Sequence, residues 1–285
     1  MTRTIGRMAG PALLGLALAA GRLPAQEMWL GPRDGPSIAV EAMQVNFTWS
    51  GMLDLGQGGV QQDFGSTALF FTGRFPVWSG TALVMELPVS YGSFTADNGF
   101  GNRESISDFA IGNPYVGLEG GRHGSSVFGE LGVRLPVMSE RKVASALVGL
   151  FSDLDRMDAF SPDIVTVSAF MNVRAGGDAG FRFRLRAGPM AWFASKSWVL
   201  DHPELYGAYA VQAGYAFRLV EVFGGITGRA ILSESVDHRF SDQAVLAAHL
   251  NLGRVEPGLS LRLPLDSGRK DLLSSTVGVS VRVAM

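Results

Sequence analysis

The chain has 285 residues, 18% of them charged, a formal net charge of -2 and no cysteine, and a mean hydropathy of +0.19. That length suits one large domain or two small ones. The missing cysteines exclude a disulfide framework and a thiolate metal site, and the near-balanced charge excludes general nucleic-acid binding or polybasic attachment to a membrane surface.

Arg3 and Arg7 precede the apolar run from Pro11 to Ala20, and Leu23-Pro24-Ala25 follows. A basic start, a short apolar core and a small-residue exit predict a secretory signal peptide over 1–26, cleaved after Ala25 or Gln26. A membrane anchor is the alternative, but the run is shorter than the roughly 20 residues a helical span needs. Residues 27–285 then form one domain. After the Gly/Pro-rich lead-in Gly31 to Pro36, apolar and polar residues alternate almost to the end of the chain. The alternation predicts strands at 38–50, 65–77, 80–92, 107–120, 125–138, 163–175, 179–195, 204–219, 221–234, 242–254, 256–266 and 273–285. In the strand at 107–120 the apolar phase slips near Gly112-Asn113-Pro114, which predicts a bulge.

The connections run alternately long and short, with Trp78-Ser79, Gly121–Gly124, Gly176–Asp178, Val220 and Val255 as the tight ones. Transmembrane barrels have tight periplasmic turns and longer outer loops. The expected fold is therefore all-β: an up-and-down antiparallel transmembrane barrel of about twelve strands in the outer membrane of a Gram-negative bacterium. The long outer loop 139–162 carries Val143, Leu147, Leu150, Phe151, Leu154 and Met157 at helical spacing, with Asp153, Asp155 and Asp158 on the other face. That predicts a short amphipathic helix which either enters the barrel mouth or lies over its rim; the rim is the plainer expectation, with its acids solvated.

The segment from Gly180 to Phe193 is the most informative. Phe181, Phe183, Leu185, Ala187, Ala191 and Phe193 share one face of an extended strand, and Arg182, Arg184, Arg186 and Trp192 share the other. An arginine facing lipid at mid-depth would cost about 2–4 kcal/mol, so the arginines face the lumen. The same phase argument turns Arg74, Arg134, Arg174, Arg218, Arg229, Arg262 and Arg282 inward, against the fewer inward acids Glu86, Glu119 and Glu130. A charge and a proline two residues apart recur in Arg74-Phe-Pro, Glu86-Leu-Pro, Arg134-Leu-Pro and Arg262-Leu-Pro. Three of the four fall toward the outer rim.

The run Glu86-Leu-Pro-Val-Ser-Tyr91, then Ile111-Gly-Asn-Pro-Tyr-Val-Gly-Leu-Glu119, then Gly129-Glu-Leu-Gly-Val-Arg-Leu-Pro136 resembles the outer-membrane β-barrel proteins of the MetA-pathway-of-phenol-degradation type, loosely akin to FadL-type transporters. The resemblance covers mainly 65–175. It implies a channel for small hydrophobic or aromatic compounds. Met285 stands where such barrels usually end in an aromatic residue.

The lumen admits two readings. Arg134, Arg182, Arg184, Arg186 and Arg262, with Glu86, Glu119, Glu130 and Trp192, line either an anion-attracting pore or a closed lattice of Arg–Glu pairs. A barrel-type hydrolase is a third possibility. His249 faces inward near Asn251, while His123, His202 and His238 fall in turns and loops, and no His-Glu-x-x-His or Gly-x-Ser-x-Gly pattern occurs. No catalytic residue, metal site or cofactor is assigned. The expected partners are membrane lipid, lipopolysaccharide, the barrel-assembly machinery and a small-molecule solute, with no nucleic acid.

Overall fold

Strands that alternate apolar and polar residues must stack on a second layer or curl shut on themselves. Here they curl shut. The structure, a computed structural model, describes residues 35–47, 60–62, 65–97, 103–121, 126–176, 179–196, 202–233 and 240–285. The expected signal segment lies outside the described residues.

Among the described residues fourteen strands form one sheet: β1 (Ser37–Phe47), β2 (Val60–Gln62), β3 (Thr67–Trp78), β4 (Thr81–Asp97), β5 (Arg103–Ile111), β6 (Tyr115–Gly120), β7 (Val127–Arg134), β8 (Ile164–Ala175), β9 (Gly180–Ala194), β10 (Glu204–Ala216), β11 (Val220–Ile231), β12 (Phe240–Leu250), β13 (Val255–Pro264) and β14 (Leu273–Ala284). β5 and β6 lie end to end along β4 and make one stave, and β2 is a three-residue rider on the outer end of β4. Twelve staves remain. β1 pairs β14 antiparallel from Ser37↔Ala284 upward, which closes the barrel.

The predicted bulge at Gly112-Asn113-Pro114 is a full break between β5 and β6. Proline brings no ladder donor, and Asn113 N leaves the sheet to donate to Ala159 O at 2.6 Å. The two minimal turns fall elsewhere than expected. Val220 and Val255 are the first residues of β11 and β13, and the chain reverses at 217–219 and 251–254. One residue cannot reverse an antiparallel pair; Phe217 N donates to Val220 O at 2.8 Å, and Gly253 takes the left-handed φ of 79° that the second turn needs. Arg218 sits in the first of these turns, exposed, and does not face the lumen.

The outer wall is apolar. Leu131, Met171, Leu246, Leu259 and Val279 are all exposed on it. Trp78, Phe181, Tyr215 and Phe217 ring the end with the short turns, and Tyr91, Phe109, Phe193 and Phe240 ring the other end. Two aromatic girdles around an apolar band are the signature of a barrel that spans a bilayer, with the short turns in the periplasm. Leu131→Arg is expected to cost about 2–4 kcal/mol in urea titrations of vesicle-refolded protein, against about 0–1 kcal/mol for Val127→Arg nearer the interface. Equal costs would remove Leu131 from the membrane mid-plane.

The buried core lies inside the barrel. Met43, Ala68, Phe70 and Ala110 of the wall pack against Met138, Ala146, Ala159 and Phe160 of the segment between β7 and β8.

Candidate functional site

That segment does not lie over the rim. It folds down into the lumen as helix α1 (Val143–Ser152) and a 3-10 stretch, Leu154–Phe160, here called the insert. Its apolar face has a cluster to bury against: Val45, Phe94 and Leu273 from three strands receive Ala144 and Val148. The ring of Phe47 meets Phe94 at 5.9 Å and Phe151 at 5.6 Å, both edge to face. The helix begins at Lys142 with no side-chain cap of its own. Asp108 of β5 supplies one, accepting from Ser145 N at 2.8 Å and Ala144 N at 3.3 Å, so a wall carboxylate satisfies the positive end of the helix. Close approach needs glycine. A Cβ on Gly92 of β4 would lie 2.2 Å from Ala144 O, and one on Gly149 would lie 2.1 Å from the Phe160 ring.

The break in the β5–β6 stave anchors the insert. Asn113 is fully buried; its Nδ2 donates to Asp158 O at 2.9 Å and Ser161 O at 2.7 Å, and its Oδ1 accepts from Met138 N at 2.7 Å. One side chain thus ties both ends of the insert to the point where the strand comes apart.

Below α1 the contacts are ionic. Arg156 of the insert reaches Asp153 at 2.8 Å, Glu86 at 3.4 Å and Glu41, with its guanidinium 3.6 Å above the Phe70 ring. Asp158 accepts from Arg134 Nε and from Arg229 Nη2, each at 3.1 Å. Asp153 accepts from Arg262 Nη2 at 3.2 Å and Gln243 Nε2 at 3.1 Å. Asp155 accepts from Thr227, and its carbonyl accepts from Arg229 at 2.8 Å. Burial pushes the Asp153 and Asp158 carboxyls up, but the flanking guanidiniums outweigh it. Arg262 and Arg156 hold Asp153 at about 2, and Arg134 and Arg229 hold Asp158 below its ordinary value.

Beneath the insert a second tier crosses the lumen. Arg186 pairs with Glu130 at 3.1 Å and stacks 4.0 Å above Phe170; Tyr115 donates to the same Glu130 oxygen at 2.6 Å. Arg74 pairs with Glu119 at 2.5 Å, and Arg184 reaches Asn172 at 3.5 Å. Toward the periplasm the lumen widens into a cavity of about 640 Å³ bordered by Arg182, Glu221, His249, Glu256 and Arg282. There Arg182 pairs with Glu221, and Arg282 Nε with Glu256 at 2.7 Å.

The expected lumen residues therefore sort by depth. Glu86, Arg134 and Arg262, the charges of three recurrent Pro motifs, all bond the insert or its ion-pair lattice. Glu119, Glu130, Arg184 and Arg186 form the tier below, and Arg182 belongs to the vestibule. Trp192 packs near the outer end with Met157 and Tyr206, its ring 4.7 Å from the tyrosine ring. The expected surplus of arginine is corrected by acids the strand phase did not assign: Glu41, Glu221 and Glu256 on the wall, and Asp153, Asp155 and Asp158 on the insert. Asp153 and Asp158 are not solvated, at 0% and 4% exposure, and Asp155 is half-buried. The strand phase does not single out Glu41 because β1 is apolar on both faces around it, with Val40 and Ala42 outward and Ala39 and Met43 inward. Glu221 and Glu256 each stand second in their strands, beside turns that lie a residue or more from where the alternation puts them.

Little room is left at the level of the insert. Cavities of about 60 and 20 Å³ flank Asp155, Phe170 and Arg186, space for a few waters at most.

No protein-family model matches the sequence, and a search among curated proteins finds no match. The fold has clear likenesses. An outer membrane channel from Pseudomonas putida F1 superposes with a TM-score of 0.57 at 8% identity, covering 91% of this chain and 99% of that one. The NanC porin superposes with a TM-score of 0.51 at 8% identity, covering 87% of this chain and 100% of that one. These two neighbours are outer-membrane barrels, a channel and a porin; the finer motif resemblance has no family match behind it.

Proposed function

We propose that the protein is an outer-membrane channel for small polar solutes, held shut in this conformation by residues 143–160. The observation that carries this reading is the character of the obstruction. A barrel built only as a scaffold can close its lumen with the side chains of its own wall. Here the lumen is lined by charged side chains below α1, opens to a periplasmic vestibule of about 640 Å³, and is blocked at the level of the insert by one covalently continuous segment, held by ion pairs and by the apolar packing of α1. The channel-type neighbours support the same role. The charged lining favours hydrophilic cargo over the aromatic compounds that the motif resemblance implies. A hydrolase is disfavoured because the acids and arginines at mid-lumen are committed to one another.

Replacing 139–162 by a short Gly-Ser turn tests the reading in planar bilayers. The shortened barrel is expected to show stable conductance steps where the intact protein stays mostly closed. If it refolds, judged by faster migration before boiling, and passes no current, the channel reading fails.

A further inference from the structure

Two of the insert's carboxylates are gripped oxygen by oxygen from the wall. Asp158 Oδ2 takes Arg134 Nε and its Oδ1 takes Arg229 Nη2. Asp153 Oδ2 takes Arg262 Nη2 and its Oδ1 takes Gln243 Nε2. The four donors come from β7, β11, β12 and β13, and all four residues are at least 95% buried. Arg229 has capacity beyond this use, since its Nε and Nη1 are buried without a hydrogen-bond partner. It also borders the 20 Å³ cavity beside Asp155. Buried guanidinium donors left unused are costly, and a larger anion than one aspartate oxygen would engage them.

The insert brings three carboxylates and one guanidinium into the lumen. When it leaves, Arg156 leaves too, and Glu86 and Glu41 keep Arg134 and Arg262 as partners at 2.9 and 3.4 Å. The wall would then present Arg134, Arg229, Gln243 and Arg262 with the donor directions that had served Asp153 and Asp158. Arg229, which has no wall carboxylate among its described ion pairs, would lose most.

We infer that Arg134, Arg229, Gln243 and Arg262 form a receptor for small carboxylate solutes, occupied in this conformation by the chain's own Asp153 and Asp158. The inference rests on the channel reading and gives it a substrate class and a trigger: an incoming carboxylate displaces the insert by taking the bonds the insert holds. Tethered groups compete at an effective concentration on the order of millimolar, so the solute acts in that range or above.

The experiment uses succinate as probe, with glucose at equal osmolarity and chloride at equal ionic strength as controls. In bilayers the open probability of the intact protein is expected to rise about tenfold or more with succinate, and with neither control. The double variant Asp153→Asn with Asp158→Asn is expected to open without succinate and to ignore it. Calorimetry on the protein lacking 139–162 is expected to show succinate binding, abolished by Arg134→Gln, Arg229→Gln and Arg262→Gln together; this arm does not depend on gating. The inference is overturned if the shortened barrel conducts but binds no succinate, or if the intact protein's open probability ignores succinate to tens of millimolar. A shortened barrel that never conducts strikes at the channel reading instead.

Discussion

Arg156→Ala is expected to shift the insert from docked to undocked by at least about a hundredfold. Arg156 touches Glu41, Glu86 and Asp153 at once, each of them buried. Removing one partner of a buried ionic cluster costs about 3–5 kcal/mol, because the remaining charges lose their compensation while still out of water. Here the cost falls on the docked state alone; once the insert leaves, water reaches the carboxylates. The chain has no cysteine, so a single Ser145→Cys, buried on the docked helix itself, reports undocking through its rate of reaction with a membrane-impermeant maleimide. Arg156→Lys keeps the charge but loses the planar fork that reaches three acids, and should fall between the two. An unchanged labelling rate in Arg156→Ala would mean that the ion pairs do not hold the insert.

Gly92→Val should open the channel with every charge left in place. Its Cβ would fall 2.2 Å from Ala144 O, 2.3 Å from Ala144 C and 2.8 Å from Ser145 N. These are backbone atoms that cannot rotate away. Gly92 also pairs across the ladder with Asp108, the residue that caps the helix, so a helix displaced from one loses the other. The strand itself tolerates the change, since valine suits a strand better than glycine does. The expected result is a barrel of unchanged or higher stability with conductance steps matching those of the shortened barrel. A Gly92→Val protein that folds and stays shut would show that packing at β4 does not position the insert. Arg156 tests the ionic grip and Gly92 the fit, and neither measurement depends on the other.

The wall was legible in the sequence because lipid imposes a period. Leu259, Leu261, Leu263 and Leu265 had nowhere to go but outward, and Arg262 nowhere but inward. The twelve staves followed from that rule and from the long and short connections. The contents of the lumen obey no such period. Asp153, Asp155 and Asp158 read as loop acids because nothing local distinguishes a carboxylate facing water from one facing Arg262 across 109 positions of chain. The helix itself was visible from its spacing, but its direction was not. The signals that pointed inward, Gly92 opposite Ala144 and Asn113 in the broken stave, acquire meaning only once the strands are placed side by side.

The ties of the insert have a consequence for assembly. Glu41, Glu86 and Arg134 lie earlier in the chain than Asp158, and Thr227, Arg229, Gln243 and Arg262 lie later, so the seated insert ties the first half of the wall to the second. Alternation forbids a strand to slip by one residue, because that would turn its charges to lipid. It does not forbid a slip of two, which preserves every face. A two-residue slip of β11, β12 or β13 would carry Arg229, Gln243 or Arg262 about 6–7 Å along the barrel wall, out of reach of Asp158 or Asp153. The seated insert is in this sense a ruler: its bonds to Arg229, Gln243 and Arg262 mark one height for β11, β12 and β13, which the hydrophobic pattern alone does not set.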